Sequence, residues 1–188
     1  MWMKSEDELI DAALSGDHQS FELLLHPYRQ GILNMAYRVT DNLEEAKEIC
    51  QEALIKVYRY LGKFKKGRSF KNWIYKITVN STYDFLRKKK KYEDLLESQK
   101  SLAASTGHGP EEQLIDKEIK LKIETSLQTL SSKEKIIFLL RDGEGFSIKE
   151  TSDVLGCSSI SVRAHLSRAR RKIREKLGEI YGEREVNL

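Results

Sequence analysis

The sequence predicts an all-helical protein of two small domains joined by a flexible linker, and three observations carry that expectation. Apolar residues recur at spacings of three and four along several stretches, and no stretch shows the strict alternation of a strand. Only 2 prolines and 11 glycines interrupt 188 residues, which leaves room for long helices. One stretch, Ser98 to Pro110 (SQKSLAASTGHGP), is small and polar and carries no apolar stripe. The length suits one ordinary domain or two small ones. Residues 1–95 are therefore assigned to a first domain, 96–112 to the linker, 113–180 to a second domain and 181–188 to a tail.

Composition excludes several classes. With 39% hydrophobic and 33% charged residues, the chain is polar at its surface but too apolar for wholesale disorder. No apolar run approaches the roughly 20 residues that cross a bilayer, and Met1 to Asp11 is acidic rather than a signal peptide. The expectation is a cytoplasmic protein without membrane insertion. Cys50 and Cys157 lie far apart, and His18, His26, His108 and His165 are scattered, so neither a metal site nor a disulfide framework is expected. No GxxxxGK[ST] phosphate loop occurs, and no cofactor, small-molecule substrate or catalytic residue is assigned.

The elements follow in order. Ser5 with Glu8 reads as a capping box opening a short helix that ends at Gly16. From about Asp17 to Val39, Phe21, Leu24, Leu25, Tyr28, Ile32, Leu33, Ala36 and Tyr37 hold helical spacing, with a kink or break expected at Pro27. A helix from Leu43 to Leu61 stacks Leu43, Ala46, Cys50, Ala53, Leu54, Val57 and Leu61 on one stripe, with Glu44, Glu45, Glu48, Gln51, Glu52 and Lys56 opposite. After the basic loop Gly62–Gly67, Ser69 caps a helix through Phe70, Trp73, Ile74 and Ile77. That helix, or a successor, continues past Asn80 and Asp84 to Arg87. Phe70 and Trp73 read first as core, Asp84 as a partner of Arg87 or Lys88, and the two cysteines as small buried residues.

In the second domain, Leu114, Ile115, Ile119, Ile123, Leu127 and Leu130 mark one helix, and Ser131 or Ser132 caps another that stops before Gly143 and Gly145. Ser147-Ile-Lys-Glu150 is a capping box for a short helix, Gly156-Cys157-Ser158 a tight turn, and a basic helix follows from Ser159 to about Leu177. This is the grammar of a helix-turn-helix. At 100° per residue, Val162, Leu166, Ala169, Ile173 and Leu177 face inward, whereas Ser161, Ala164, Arg168 and Arg171 point away with Arg163 and His165 at the flanks. Arg170, Lys172 and Arg174 lie where they would reach phosphates.

The net charge of +4 hides its arrangement: residues 1–91 carry +5, 92–134 carry −4 and 135–188 carry +3. Lys63 to Lys91 holds eleven basic groups, among them Lys76, against the single carboxylate Asp84, and Arg163 to Lys176 holds seven against Glu175. Two dense positive clusters point to phosphate backbones.

These residues resemble the extracytoplasmic-function sigma factors, small two-domain members of the bacterial sigma-70 family. The likeness covers nearly the whole chain: EEAKEICQEALIKVYRYLGKF with FKNWIYKITVNSTYDFLRKKKK is similar to the family's second region, and LSSKEKIIFLLRDGEGFSIKETSDVLGCSSISVRAHLSRARRKIREKL to its fourth. The resemblance implies that Glu48, Gln51, Glu52 and Lys56 dock on the clamp helices of core RNA polymerase. It implies that Asn80 reads an extruded base of the minus-ten element, supported by Trp73 and Lys76, while Arg87, Lys88 and Lys89 hold the strand backbone. Ser161, Arg163, Ala164, His165, Arg168 and Arg171 would read the minus-thirty-five element as duplex. It also implies an anti-sigma partner, which would hold the factor at the membrane where that partner is itself anchored. The chain departs from the family pattern at Ser159, Ile160 and His165 on the recognition helix, at Glu48, and at Ser81 beside Asn80.

A competing class is a helix-turn-helix regulator that binds closed duplex without polymerase. It accounts for residues 131–177 but leaves the basic, aromatic-interleaved stretch Lys63 to Lys91 without a role.

Overall fold

A computed structural model describes residues 4–97 and 122–181; residues 98–112 of the sequence-predicted linker and most of the 181–188 tail lie outside the described residues, while residues 96 and 97, assigned to the linker, belong to a helix. Among the described residues every regular element is helical, and the chain divides into two compact units.

The first unit is built on α1 (Glu6–Leu14), α2 (His18–Thr40), α3 (Leu43–Tyr60) and α4 (Phe70–Glu97). The capping box of α1 forms as the sequence predicts, Ser5 accepting from Glu8 N–H while the Glu8 carboxylate accepts from Ser5 N–H. The break expected at Pro27 is absent: α2 runs continuously through it. Leu24, Leu25, Ile32, Met35 and Ala36 are buried on either side of the proline, and that packing outweighs the one lost backbone bond. Asp41 takes a left-handed φ of 56° between α2 and α3, a conformation that short polar side chains tolerate.

The inward stripe of α3 is Ala46, Ile49, Ala53 and Val57, which adds Ile49 to the expected one and leaves Leu43, Cys50 and Leu54 half-buried. Ile49 is fully buried against Ala36 and Ala46, while Cys50 and Leu54 are only half-buried at the edge. A short 3-10 turn, Leu61–Lys63, closes the helix and buries Leu61. Ser69 Oγ then accepts from Asn72 N–H at 3.1 Å, and α4 proceeds as one unbroken helix of 28 residues, with no successor. Phe70, Ile74, Tyr75 and Val79 fix it to the core. Buried Thr78 and Thr82 donate their hydroxyls to the carbonyls one turn back, at 3.0 and 2.9 Å.

The second unit contains the helical residues 122–128 (α5), α6 (Ser132–Phe138), α7 (Ile148–Leu155) and α8 (Ser159–Tyr181). Leu127 and Leu130 are buried as the stripe predicts, but Ile123 is exposed; Leu114, Ile115 and Ile119 lie outside the described residues. Ser131, not Ser132, caps α6. That helix ends in a π-turn, Leu139–Gly143, which buries Leu139 and Leu140. Gly156 closes α7 at φ 62°, ψ 34°, and α8 opens where Ser158 Oγ accepts from Ser161 N–H at 3.2 Å. Val162, Leu166 and Ala169 bury against α6 and α7, whereas Ile173 and Leu177, expected inside, are only half-buried because α8 runs on past them.

Candidate functional site

Three surfaces carry the residues that the sequence singles out. On α4, Trp73, Lys76, Asn80, Asp84 and Arg87 follow at intervals of three and four and share one face of a single rigid helix. Lys76, Asn80, Arg87 and Lys88 are exposed. Trp73 is half-buried, its ring 5.4 Å from Phe64 and 5.6 Å from Phe70, so it is held by the core yet offers an edge outward. Asp84 pairs with Arg87 at 2.7 Å, as expected from their spacing.

Two expected contact residues are turned back onto the protein. Lys89 pairs with Glu45 at 2.6 Å and so ties α4 to α3 instead of standing out with Lys88. Lys56 sits between Glu52 (2.9 Å) and Asp84 (3.5 Å) and donates to the buried Ser81 Oγ at 3.1 Å. Burial works against its charge, but the two carboxylates outweigh it and raise its pKa. Ser81, the unusual neighbour of Asn80, thus links α4 to α3 one residue along from the exposed amide.

On α3, Glu48 and Gln51 are exposed and Glu52 is half-buried. Beside them lies a groove of about 550 Å³ between α2 and α3, lined by Leu25, Leu33, Cys50, Gln51, Leu54 and Ile55. Ile55 and Tyr58 stand exposed at its edge. The sequence reading missed this apolar half of the surface, because a stripe count assigns residues outside the stripe to solvent without asking which are hydrophobic. Burial pushes the Cys50 thiol up to about 11, well away from a reactive thiolate.

On α8, Arg163, Ala164, Arg168 and Arg171 are exposed, and Ser161 and His165 are half-buried. Ser167, exposed on the same face, and Ile160, 76% exposed at the start of the helix, belong to this surface and were not singled out. Arg168 Nη2 lies 3.0 Å from His165 Nδ1; a guanidinium can only donate, so that ring nitrogen is an unprotonated acceptor. Burial, then Lys133 and Arg168, lower the His165 pKa, with Glu134 opposing. Arg170 grips Asp142 through two bonds of 3.0 and 2.6 Å, and Lys172 pairs with Glu134 at 2.8 Å, so neither projects freely toward a phosphate. Arg163 and Arg174 form no ion pair among the described residues.

Burial alone would raise the Glu134 pKa, but bonds from Lys172 and from Ser131 hold it at about 2. Among the described residues no helix is long and apolar enough to cross a membrane. No cluster of His, Cys, Asp and Glu able to hold a metal ion occurs among them either.

A helical bundle with a basic, aromatic-edged row, followed by a helix-turn-helix with a positive outer face, defines a two-module protein that handles nucleic acid. Family models sharpen that class: the model described as Sigma-70 region 2 matches residues 24–92, and that described as Sigma-70, region 4 matches residues 120–173. The chain is 28% identical to the RNA polymerase sigma-H factor of Pseudomonas aeruginosa, covering 93% of this chain and 94% of that one. It is 27% identical to the ECF RNA polymerase sigma factor SigW of Bacillus subtilis, over 88% and 92% of the two chains.

In fold it is similar to the sigma factor RpoE of Bartonella quintana, solved with the anti-sigma factor NepR, at TM-score 0.71 and 21% identity, covering 85% of this chain and 97% of that one. It also resembles CnrH, solved with the cytosolic domain of CnrY, at TM-score 0.67 and 19% identity over 91% and 96% of the two chains. The chain belongs to the sigma-70 family of RNA polymerase sigma factors, in its extracytoplasmic-function group. It is an alternative transcription initiation factor, of a family that binds core RNA polymerase and promoter DNA.

Proposed function

We propose that this chain divides promoter recognition among its three surfaces: α3 docks on core RNA polymerase, α4 captures the minus-ten element as it opens, and α8 reads the minus-thirty-five element as duplex. The observation that carries the reading is the α4 row. Asn80 is exposed between Lys76 and Arg87 on a helix whose opposite side is locked by Phe70, Ile74 and Val79.

An amide that both donates and accepts can match the edge of an extruded base, and the cations one turn before it (Lys76) and two turns after it (Arg87) suit the flanking phosphates. Trp73 would give the base a partly exposed ring edge, and Lys88 would add a sequence-blind contact. Lys89 would reach the strand only by giving up Glu45. On α3, Glu48 and Gln51 offer orientation and the neighbouring Ile55–Tyr58 edge offers apolar area, the usual division of labour in a protein interface. On α8, Arg168 and Arg171 suit guanine edges, and the side of the helix that carries half-buried Ser161 and exposed Arg163 and Ala164 would meet the groove, with His165 at its flank. Opening would draw on binding energy, with no reaction catalysed by this chain.

The domains proposed are residues 1–95 for polymerase and the minus-ten element, 113–180 for the minus-thirty-five element, and 96–112 between them. A cytoplasmic location and an anti-sigma partner complete the reading. The partner is supported by the similar fold of RpoE from Bartonella quintana, solved with its anti-sigma factor.

The test is run-off transcription by bacterial core RNA polymerase with the purified chain, across a pool of promoter fragments. Wild-type protein is expected to start transcripts at one sequence class. Asn80→Ala should bind core normally but fail to open promoters, and Arg168→Ala should weaken recruitment by about five- to 150-fold, the range for one lost bidentate base contact. Tight duplex binding without polymerase and no initiation with it would favour the closed-duplex regulator instead.

A further inference from the structure

The recognition helix carries its cations in an unexpected arrangement around one buried carboxylate. Glu134, with a side chain only 6% exposed, stands in the first turn of α6. Its Oε2 accepts from Ser131 N–H at 3.0 Å and from Lys172 Nζ at 2.8 Å, and its Oε1 lies 3.7 Å from Arg168 Nε. His165, Arg168 and Lys172 follow at i, i+3 and i+7, so one face of α8 presents all three toward this carboxylate.

The cap by itself does not call for a charge, since Gln serves the capping-box position as well as Glu. Burying a carboxylate is costly unless cations meet it, and here two do. For Arg168 the consequence is orientation. Its Nε lies in ion-pair range of Glu134 at 3.7 Å and its Nη2 reaches His165 Nδ1, so both protein contacts fall on the Nε–Nη2 edge of the guanidinium while the side chain as a whole is 50% exposed. For Lys172 the consequence is withdrawal, because its ammonium is drawn inward to α6.

We propose that Glu134 is a positioning residue for duplex reading: it fixes Arg168 in one orientation for base edges and holds Lys172 off the phosphate backbone. This rests on the assignment of α8 to the upstream element. Glu134 itself touches no DNA. It raises selectivity by restricting the guanidinium and lowers sequence-blind affinity by withholding a cation.

Two variants separate the charge from the cap. Glu134→Gln keeps the capping box and removes the charge, whereas Ser131→Ala removes the cap and keeps the charge. The first measurement is the salt dependence of binding by the intact chain to a 30-bp duplex of mixed sequence. Wild type and Lys172→Gln should share the same slope of log K against log salt, and Glu134→Gln should be steeper by about one, the contribution of one added phosphate contact.

The second measurement is selection by the holoenzyme from promoters randomised in the upstream element. Glu134→Gln should lose about fivefold or more in enrichment of the preferred sequence, while Ser131→Ala retains it despite lower thermal stability. The proposal is overturned if Glu134→Gln leaves slope and enrichment unchanged, if Ser131→Ala shifts both equally, or if Lys172→Gln makes the slope shallower by about one. Should the wild-type holoenzyme select no promoter sequence, the sigma reading of α8 fails, and the slopes on the mixed duplex still decide what Glu134 does to Lys172.

Discussion

Val162 and Ile160 are two residues apart on the same helix, and the structure assigns them opposite fates. Val162 is fully buried, packed with Ile137 and Leu166 and walled by Phe138, Ile148 and Leu155. Ile160 is 76% exposed. Val162→Ala removes two buried methyl groups at about 0.8 kcal/mol each and leaves a small cavity, for a loss of roughly 2 kcal/mol. A unit of the 60 residues 122–181 has a total stability on the order of 3 to 9 kcal/mol, so this one change removes about a fifth or more of it. Ile160→Ala should stay within about 0.5 kcal/mol. Amide hydrogen exchange read on peptides of α6 to α8 follows the second unit alone. Protection there should fall about 30-fold for Val162→Ala and hardly at all for Ile160→Ala. Equal losses, or a larger one for Ile160→Ala, would refute the docking of α8 through the face that carries Val162.

Two further outcomes follow from local geometry. Gly156→Ala places a Cβ in open space but at φ 62°, so the cost is conformational alone, about 1 kcal/mol, to be read as a lower midpoint in urea with an unchanged slope. The Glu134 pKa lies below its unfolded value of about 4.5, so its stabilising contribution is complete above that value and is lost as pH falls toward 2. Wild type should exceed Glu134→Gln in stability by about 2 kcal/mol at pH 7, after discounting for screening, and the gap should close between pH 5 and pH 2 in denaturation series.

The helices were legible because their signals are local. Ser5–Glu8 and Ser147–Glu150 form the capping boxes that their spacing announces, Ser131–Glu134 forms a third where the sequence allows Ser131 or Ser132 as the cap, and Gly156 takes the left-handed turn that the helix-turn-helix needs. The misreadings came from packing. Spacing could not choose Ile49 over Cys50 on α3, since both lie within one turn of Ala46 and Ala53, and only the position of Ala36 on α2 settles it. At Pro27 the break, one of the two outcomes expected there, is overruled by buried neighbours on both sides. The row Lys76–Asn80–Arg87 could be read from the sequence because one helix carries it. The inward turn of Lys56 and Lys89 could not, because their partners Ser81 and Glu45 are 25 and 44 residues away.

The same distinction changes what the charge of α8 means. Seven basic side chains between Arg163 and Lys176 suggest a strong hold on phosphate, but most of them already have acidic partners. Arg171 with Glu175 and Lys176 with Glu179 are exposed pairs, worth at most about 1 kcal/mol, and phosphate can displace them at little cost. Arg170 on Asp142, and Arg168 and Lys172 on Glu134, are harder to release, because their carboxylates are more buried and would be left without a cation. On the proposed reading of α8, its sequence-blind grip would therefore rest mainly on Arg163, Arg174 and the exchangeable pairs. If α8 reads duplex as proposed, a helix with its cations so engaged would hold duplex weakly by itself and discriminate through a few oriented groups. That suits a subunit whose overall affinity for a promoter is supplied jointly with polymerase, and it is the opposite of what a regulator acting alone on closed duplex requires.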